Sequence, residues 1–337
     1  MSPLMSARFQ RFRQHKLGFG CFILFMLIFI ATLAVQWIAN DKPILIKYDQ
    51  QYYFPIVKAY PETTFDGVFE TEADYKDPAV QQLVEAKGWM IWPLIPYADQ
   101  TPNLALDVPV PSAPSAQNWL GTDDQGRDVL ARLLYGLRVS LLFGLGLTLL
   151  ASLIGICVGA IQGYYGGWVD LIGQRIIEVW GGLPTLFMVM VLVSILTPNV
   201  YWLFVIMLLF GWSSLVGLVR AEFLRARHLD YVRAARALGV RDHMIMFRHI
   251  LPNAMSSALS QIPFMLTANI TALTALDFLG YGLPPGSASI GELLLQGKNN
   301  LNAPWLALSG FFTLALVLSL LIYIGEAARD AFDPRQH

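Results

Sequence analysis

Charged residues are scarce in this chain. Only 14% of its 337 residues are Asp, Glu, Lys or Arg, whereas soluble domains average about 25%. Hydrophobic residues make up 55% of the sequence and the mean hydropathy is +0.50. This composition excludes an ordinary soluble domain and indicates a membrane protein. The net charge of −1 provides no field of the kind that attracts nucleic acid.

Cysteines and reactive constellations are scarce as well. Cys21 and Cys157 both lie in apolar runs, where a thiol acts as a small apolar side chain. Two such residues exclude a disulfide framework and a zinc-binding spacing. Residues 291–299 superficially resemble a phosphate-binding loop, but Asn299 stands where Ser or Thr would bind magnesium. The sequence therefore predicts no catalytic, cofactor-binding or metal-binding residues, and a membrane-embedded enzyme is disfavoured.

Long apolar runs are abundant. A bilayer is crossed by about 20 helical residues, and six stretches are long enough: about 17–38, 138–162, 174–197, 200–219, 254–276 and 306–325. Ionisable residues are missing from the middle of every span, which argues against a proton- or sodium-coupled carrier.

Cytoplasmic loops carry an excess of Lys and Arg. The basic N-terminus and the arginine-rich loop 220–252 therefore predict that this loop and both termini are cytoplasmic.

This topology predicts an all-α polytopic membrane protein with an external insertion. The predicted regions are a basic cytoplasmic N-terminus with the first transmembrane helix (1–40), a periplasmic insertion (41–120), an amphipathic periplasmic helix (121–137), a core of five transmembrane helices (138–330) and a cytoplasmic tail (331–337). Thr122 or Asp123 would cap the amphipathic helix. The alternative is that residues 121–137 are the first turns of the second span.

The insertion has the composition of a folded unit. Residues 44–48 and 51–54 are rich in β-formers and predict short strands, and residues 77–87 predict a helix. We expect its aromatic side chains to form a core; these are Tyr52, Tyr53, Phe54, Trp89, Trp92 and Tyr97.

Two spans carry patterns that predict their packing. Small residues recur every fourth position in the second span, from Ala151 to Gly163, and indicate close approach to a neighbouring helix. Pro184 predicts a kink in the third span. Arg175 and Glu178 form a predicted ion pair at the start of that span.

The fifth span is the most polar. Its uncharged polar side chains either hydrogen-bond to other helices or line a substrate pathway, and the sequence leaves both open. The candidate pathway residues are Ser260, Gln261, Asn269, Thr271 and Thr274.

The arginine-rich loop is the most informative segment. Asp230 can cap a helix over 231–238 that Gly239 ends in a left-handed conformation, and Asp242 can cap a second helix over 243–250. Pro252 would separate this second helix from the fifth span. Small alanines keep one helix face thin, as a helix that docks into a groove requires. The alternative is an amphipathic loop that binds anionic lipid.

At these residues the chain resembles a known family. The pattern from Ala234 and Ala235 through Gly239 to Pro252 is similar to the EAA loop of binding-protein-dependent ABC importers. Arg233 stands where Glu is common in that loop, and His249 where an apolar residue is common. Both departures resemble the peptide-permease branch, which the following segments also resemble: 120–129, 276–284, 303–305 and 328–334. The start of the insertion resembles the Yej-type permeases.

The resemblance implies a type I ABC importer permease (MetI-like) fold with six transmembrane helices in the bacterial inner membrane. It implies import of peptides or peptide-like compounds such as microcin C, with chelated nickel or another small solute as the alternative. The implied partners are membrane lipid, a second, homologous permease, a periplasmic peptide-binding protein, and ATPase subunits or one fused ATPase that use the ATP. The implied coupling residues are Tyr231, Ala234, Ala235, Gly239, Asp242, Leu251 and Pro252.

Overall fold

The computed structural model describes residues 3–104, 106, 108–196 and 199–332, and it is dominated by helices. The helices are α1 (Pro3–Gln14), α2 (Lys16–Leu33), α3 (Val35–Ile38), α4 (Pro78–Lys87), α5 (Val129–Tyr165), α6 (Gly167–Gly181), α7 (Thr185–Ile195), α8 (Val200–Gly211), α9 (Val216–Ala226), α10 (Asp230–Ala237), α11 (Asp242–Met244), α12 (Leu251–Phe278), α13 (Ile290–Asn299) and α14 (Pro304–Phe332). A π-helical turn (Ile245–Ile250) joins α11 to α12. The tail predicted for 331–337 is helical to Phe332, and its remainder lies outside the described residues.

The apolar spans predicted from the sequence are helical. Among the described residues, five helical stretches are long and apolar enough to cross a membrane, and α6 with α7 makes a sixth if the bent pair is one span. That pair bends by 73°. Pro184 lies in the break. A proline removes a backbone donor and clashes with the preceding turn, so it interrupts the helix. The kink predicted there is confirmed.

The helix predicted for 121–137 is wrong at its start. α5 begins at Val129 and continues unbroken to Tyr165. Neither predicted cap is correct, because the Asp128 carboxylate accepts the Ala131 N–H at 2.8 Å. The second half of the predicted segment is therefore the first part of the long apolar helix, as the alternative interpretation had it.

The chain divides into two compact units. The loop unit comprises Met1–Met26, Leu141–Pro284 and Ala315–His337, and the insertion unit comprises Leu27–Ser140 and Pro285–Leu314.

The insertion unit contains a small antiparallel sheet. Its strands are β1 (Leu45–Tyr48), β2 (Gln51–Tyr53) and β3 (Gly88–Ile91), in the order β2–β1–β3. Both predicted strands and the helix predicted for 77–87 are confirmed, and Asp77 caps that helix by accepting the Ala79 N–H.

The aromatic core predicted for this unit is only partly correct. Tyr53 and Trp92 pack against the buried cluster, whereas Tyr52, Phe54 and Trp89 are exposed. Side chains alternate between the faces of a strand, so Tyr52 and Trp89 lie on the open face. The cluster itself consists of Ile46, Tyr48, Phe65, Ala73, Tyr75, Val80 and Val84.

In the loop unit, α5 packs closely against α9 through its small residues. A Cβ atom added at Gly159 would lie 2.7 Å from the Val216 carbonyl oxygen, and one added at Gly163 would lie 2.5 Å from the Phe223 Cβ. Only glycine permits this backbone approach. The close helix packing predicted from the four-residue spacing is confirmed.

Candidate functional site

The arginine-rich loop folds into short helices with defined ends. After α9, a turn leads into α10, and Gly239 follows with φ of +77°. This left-handed conformation is one that residues with a side chain rarely adopt, which is why glycine commonly terminates helices. The Gly239 N–H donates to the Arg236 carbonyl at 3.0 Å. The helix stop predicted at Gly239 is confirmed.

Three details of the predicted loop are wrong. Asp230 and Asp242 lie inside their helices, and no side-chain cap bond forms at either helix start. Pro252 does not separate the second loop helix from the fifth span, because residues 242–278 form one helical run. Pro252 stands in the first turn of α12, directly after the π-helical turn. Pro252 is exposed and Leu251 is half-buried.

One side of α10 anchors the loop to the membrane helices. Val232 is fully buried and Ala235 is 7% exposed. Both belong to one apolar cluster with Phe223 of α9, Ile245 of the π turn and Ala254 of α12. Ala235 was predicted from the resemblance to contact a partner, but its side chain faces this internal cluster. Its small size allows α10 to lie close to the neighbouring helices.

A neighbouring side of α10, continued by its C-cap residue Leu238, presents an apolar face. Tyr231, Ala234 and Leu238 are exposed and recur at the spacing of one helix face. Leu238 is 84% exposed, and Tyr231 borders a cleft of about 120 Å³ between α9 and the start of α12. We call these three residues the docking face. An exposed apolar strip on a well-anchored helix is typical of a surface that binds another protein.

Polar contacts fix the loop to the ends of other helices. The Tyr164 hydroxyl, near the end of α5, donates to Asp242 Oδ1 at 2.5 Å. Arg220 Nη2 of α9 donates to Asp170 Oδ2 of α6 at 2.7 Å. These contacts tie the loop to α5 and α6. The ion pair predicted between Arg175 and Glu178 is also present.

The polar residues predicted along the fifth span divide into two groups. Ser260 and Thr274 are buried, and each donates to a carbonyl of its own helix, at Ser257 and Ile270. A pathway role for these two residues stays a prediction.

Gln261 and Asn269 are half-buried and Thr271 is exposed. The Asn269 side chain donates to the Thr148 hydroxyl at 2.9 Å. This bond joins two helices, which is one of the two roles that the sequence left open for these polar residues. A pathway role for these three residues stays a prediction.

The insertion unit holds a buried charge cluster that the sequence did not predict as a site. Asp123, Arg127 and Arg132 are almost completely buried. Asp123 Oδ2 lies 2.7 Å from Arg127 Nη2 and 3.3 Å from Arg132 Nε, and Arg132 also pairs with Glu292 of α13 at 2.8 Å. The sequence feature that could have indicated this cluster is the concentration of charged residues within 123–132, in a chain with few charged residues.

Asp128 lies beside this charge cluster and has a different environment. Burial raises the pKa of Asp128, while its hydrogen bonds from Ala131 and Asn118 oppose the shift.

In the described ranges, no group of three or more His, Cys, Asp or Glu side chains is placed to hold a metal ion.

The fold and the anchored loop define a membrane-spanning transport component. Residues 133–337, more than half of the chain, match the family of binding-protein-dependent transport system inner membrane components, and the chain belongs to this family. It is a permease subunit and not itself an enzyme.

Similar proteins cover the whole chain. It is 56% identical over 336 residues to the inner membrane ABC transporter permease protein YejE of Escherichia coli, covering 100% of this chain and 98% of that protein. It is 50% identical over 359 residues to the peptidoglycan transport system permease protein YejE of Agrobacterium fabrum, covering 99% and 94%. It is 37% identical over 227 residues to the dipeptide transport system permease protein DppC of Bacillus subtilis, covering 66% and 70%.

Proposed function

We propose that this chain is the permease subunit of an ATP-driven importer that moves peptides across the bacterial inner membrane. The observation that carries the mechanism is α10, which is anchored by Val232 and Ala235 and offers the docking face outward. The names of the similar proteins, one for dipeptide and one for peptidoglycan transport, support peptides or the peptide part of cell-wall fragments as the substrate.

The proposed orientation places the loop 220–252 and both termini in the cytoplasm and the insertion 41–120 in the periplasm. Arginines concentrate in that loop, and cytoplasmic segments carry such an excess. The docking face then meets an ATPase subunit, which is one fused chain or one of a pair. A second, homologous permease completes the pathway, and a periplasmic binding protein delivers the peptide.

In this mechanism the ATPase shifts the permease between inward- and outward-open states. Moving an equilibrium from 1:99 to 99:1 takes about 5.5 kcal/mol of preferential binding to one state. Only a loop that does not deform can transmit this. The Tyr164–Asp242 and Arg220–Asp170 contacts, together with the buried cluster, give the loop that stiffness.

The proposal is tested in proteoliposomes that contain both permeases, the ATPase and internal ATP, with the binding protein outside. Uptake is measured for a labelled tripeptide, a labelled cell-wall peptide and a nickel chelate. Accumulation of either peptide that depends on ATP and on the binding protein supports the proposal. Accumulation of only the nickel chelate contradicts the peptide substrate, and no ATP-dependent uptake of any solute by the intact complex contradicts the importer.

A further inference from the structure

A basic cleft lies beside α10, on a different side from the docking face. Its volume is about 430 Å³, and its walls include Tyr164 and Tyr165 together with three arginines, Arg227, Arg233 and Arg236. On the helix surface of α10, Arg233 and Arg236 are three positions apart and therefore neighbours. The cleft and the docking face are thus two separate surfaces of one short helix.

The three arginines outnumber the acidic side chains of the cleft wall, which are represented by Asp242. Among the described residues, none of them forms an ion pair, whereas nearby Arg220 and Arg225 pair with Asp170 and Glu222. Arg227 instead donates to the Tyr164 carbonyl at 3.4 Å and to His228 Nε2 at 3.1 Å.

The carboxylate in the cleft wall is already engaged. Asp242 accepts the Tyr164 hydroxyl, and the Arg236 guanidinium lies 5.4 Å from the centre of the Tyr164 ring. Contact with Tyr164 raises the pKa of Arg236, so this side chain stays charged. Three guanidinium groups against the single carboxylate of Asp242 leave the cleft wall net positive, which favours an anion, and guanidinium groups match the geometry of phosphate oxygens.

The cleft opens where an apolar helix ends. Tyr164 and Tyr165 are the last two residues of α5, a stretch long and apolar enough to cross a membrane. Tyr165 is 54% exposed, and Trp168 at the start of α6 is 78% exposed. Tyr and Trp at the end of a spanning helix lie at the level of the lipid headgroups. The three arginines line the same cleft as these two tyrosines.

We propose that this cleft binds the phosphate of an anionic phospholipid headgroup between Arg227, Arg233 and Arg236, with Tyr165 beside it. A lipid bound there contacts the turn before α10, α10 itself and the end of α5 at once. It adds negative charge where arginines outnumber carboxylates, and it holds the loop against the membrane helices. Anionic lipid is then a ligand bound at a defined site of the permease as well as a component of the surrounding bilayer.

The test uses the full chain in nanodiscs of phosphatidylcholine with a minor fraction of a photoreactive phosphatidylglycerol. After illumination, labelled peptides are identified by mass spectrometry. We expect labelling within residues 164–168 and 227–242. In the double variant Arg233→Gln/Arg236→Gln, binding weakens about 30-fold, since each arginine near an anionic lipid surface contributes about a factor of five or more.

Two control variants separate a built site from general surface charge. Arg175→Gln/Arg225→Gln removes two exposed arginines of the same unit that are outside the cleft, and it should leave labelling of the cleft unchanged. Arg233→Lys/Arg236→Lys retains the charge but not the guanidinium geometry, and should restore the labelling only in part. Equal loss in the Arg175/Arg225 variant overturns the proposal, because labelling then follows total charge.

Competition identifies the source of the bound anion. Displacement by phosphatidylglycerol but not by inorganic phosphate supports the lipid. Displacement by inorganic phosphate at similar concentration overturns it in favour of a soluble phosphate ligand. Complete protection of the cleft by the ATPase subunit, with no lipid effect on ATP hydrolysis, also overturns it and assigns the arginines to the protein interface.

Discussion

Tyr164 and Asp242 are 78 positions apart in the sequence, yet the Tyr164 hydroxyl donates to Asp242 Oδ1 at 2.5 Å. This bond connects the end of α5 to the first residue of α11. It joins the loop to a long apolar helix through a side-chain hydrogen bond.

Tyr164→Phe should uncouple transport from ATP hydrolysis. It removes one hydrogen bond to a charged acceptor, which contributes roughly 1.5–3 kcal/mol, and leaves the ring in place. We expect faster amide hydrogen exchange across 240–250 and less peptide imported per ATP hydrolysed. Ser194→Ala removes an exposed hydroxyl that bonds only its own helix and should change neither quantity. Unchanged exchange and unchanged uptake in Tyr164→Phe would show that the bond has no coupling role.

Gly239 should tolerate Asn better than Val. A Cβ atom at this position would meet nothing within 4 Å, so only the left-handed backbone opposes a side chain. That conformation costs roughly 1–2 kcal/mol for most L-residues and less for Asn. Gly239→Val should lower import, and Gly239→Asn should retain most of it, with equal amounts of both variants in the membrane. Equal import by the two variants would mean that the helix stop at Gly239 is not needed.

Gly159→Ala should destabilise the chain through α5 and α9. The new methyl would lie 2.7 Å from the Val216 carbonyl oxygen, and overpacking of this kind typically costs about 1–3 kcal/mol. Gly146→Ala is the matched control, because its methyl would lie 3.4 Å from the edge of the Phe204 ring. The midpoint of thermal unfolding in nanodiscs is measured for both variants. A midpoint that falls equally in the two variants would contradict the close contact.

Asp123→Ala should be far more damaging than Asp124→Ala. Asp123 is fully buried between Arg127 and Arg132, and removal of one partner from a buried ion pair costs about 3–5 kcal/mol. Asp124 is exposed, so its removal should have little effect. The comparison is made by thermal unfolding and by protease sensitivity of residues 99–132. Similar stability of the two variants would show that the buried charges are not mutually stabilising.

Patterns among residues close in sequence predicted most of the helices and two of the strands. Hydropathy located the spans, the four-residue spacing of small residues predicted the approach at Gly159, and glycine chemistry predicted the stop at Gly239. Each of these features depends on residues close in sequence. The strands β1 and β2 and the helix α4 were predictable for the same reason, whereas β3 was not predicted.

Long-range contacts were not predictable from one sequence. Asp242 was interpreted as a helix cap because a carboxylate before a helix usually accepts backbone N–H groups. Its oxygen instead accepts a hydroxyl from α5. Arg132 and Glu292 are 160 positions apart, and no local pattern indicates that they pair. The resemblance implied a partner contact for Ala235, which is buried, because the exposed and the buried alanines of α10 differ only in helical phase.

The docking face is tested most directly by replacement of Leu238 with Asp. Leu238 and Leu301 are each 84% exposed, so Leu301→Asp is a control of equal chemistry at a distant point of the sequence. Each variant is assembled with its partner permease, and the amount of ATPase subunit that co-purifies is measured together with peptide uptake. We predict that Leu238→Asp loses the ATPase subunit and uptake while its unfolding midpoint is unchanged, and that Leu301→Asp retains the ATPase subunit. Full ATPase binding and normal uptake by Leu238→Asp would contradict the assignment of α10 as the coupling element.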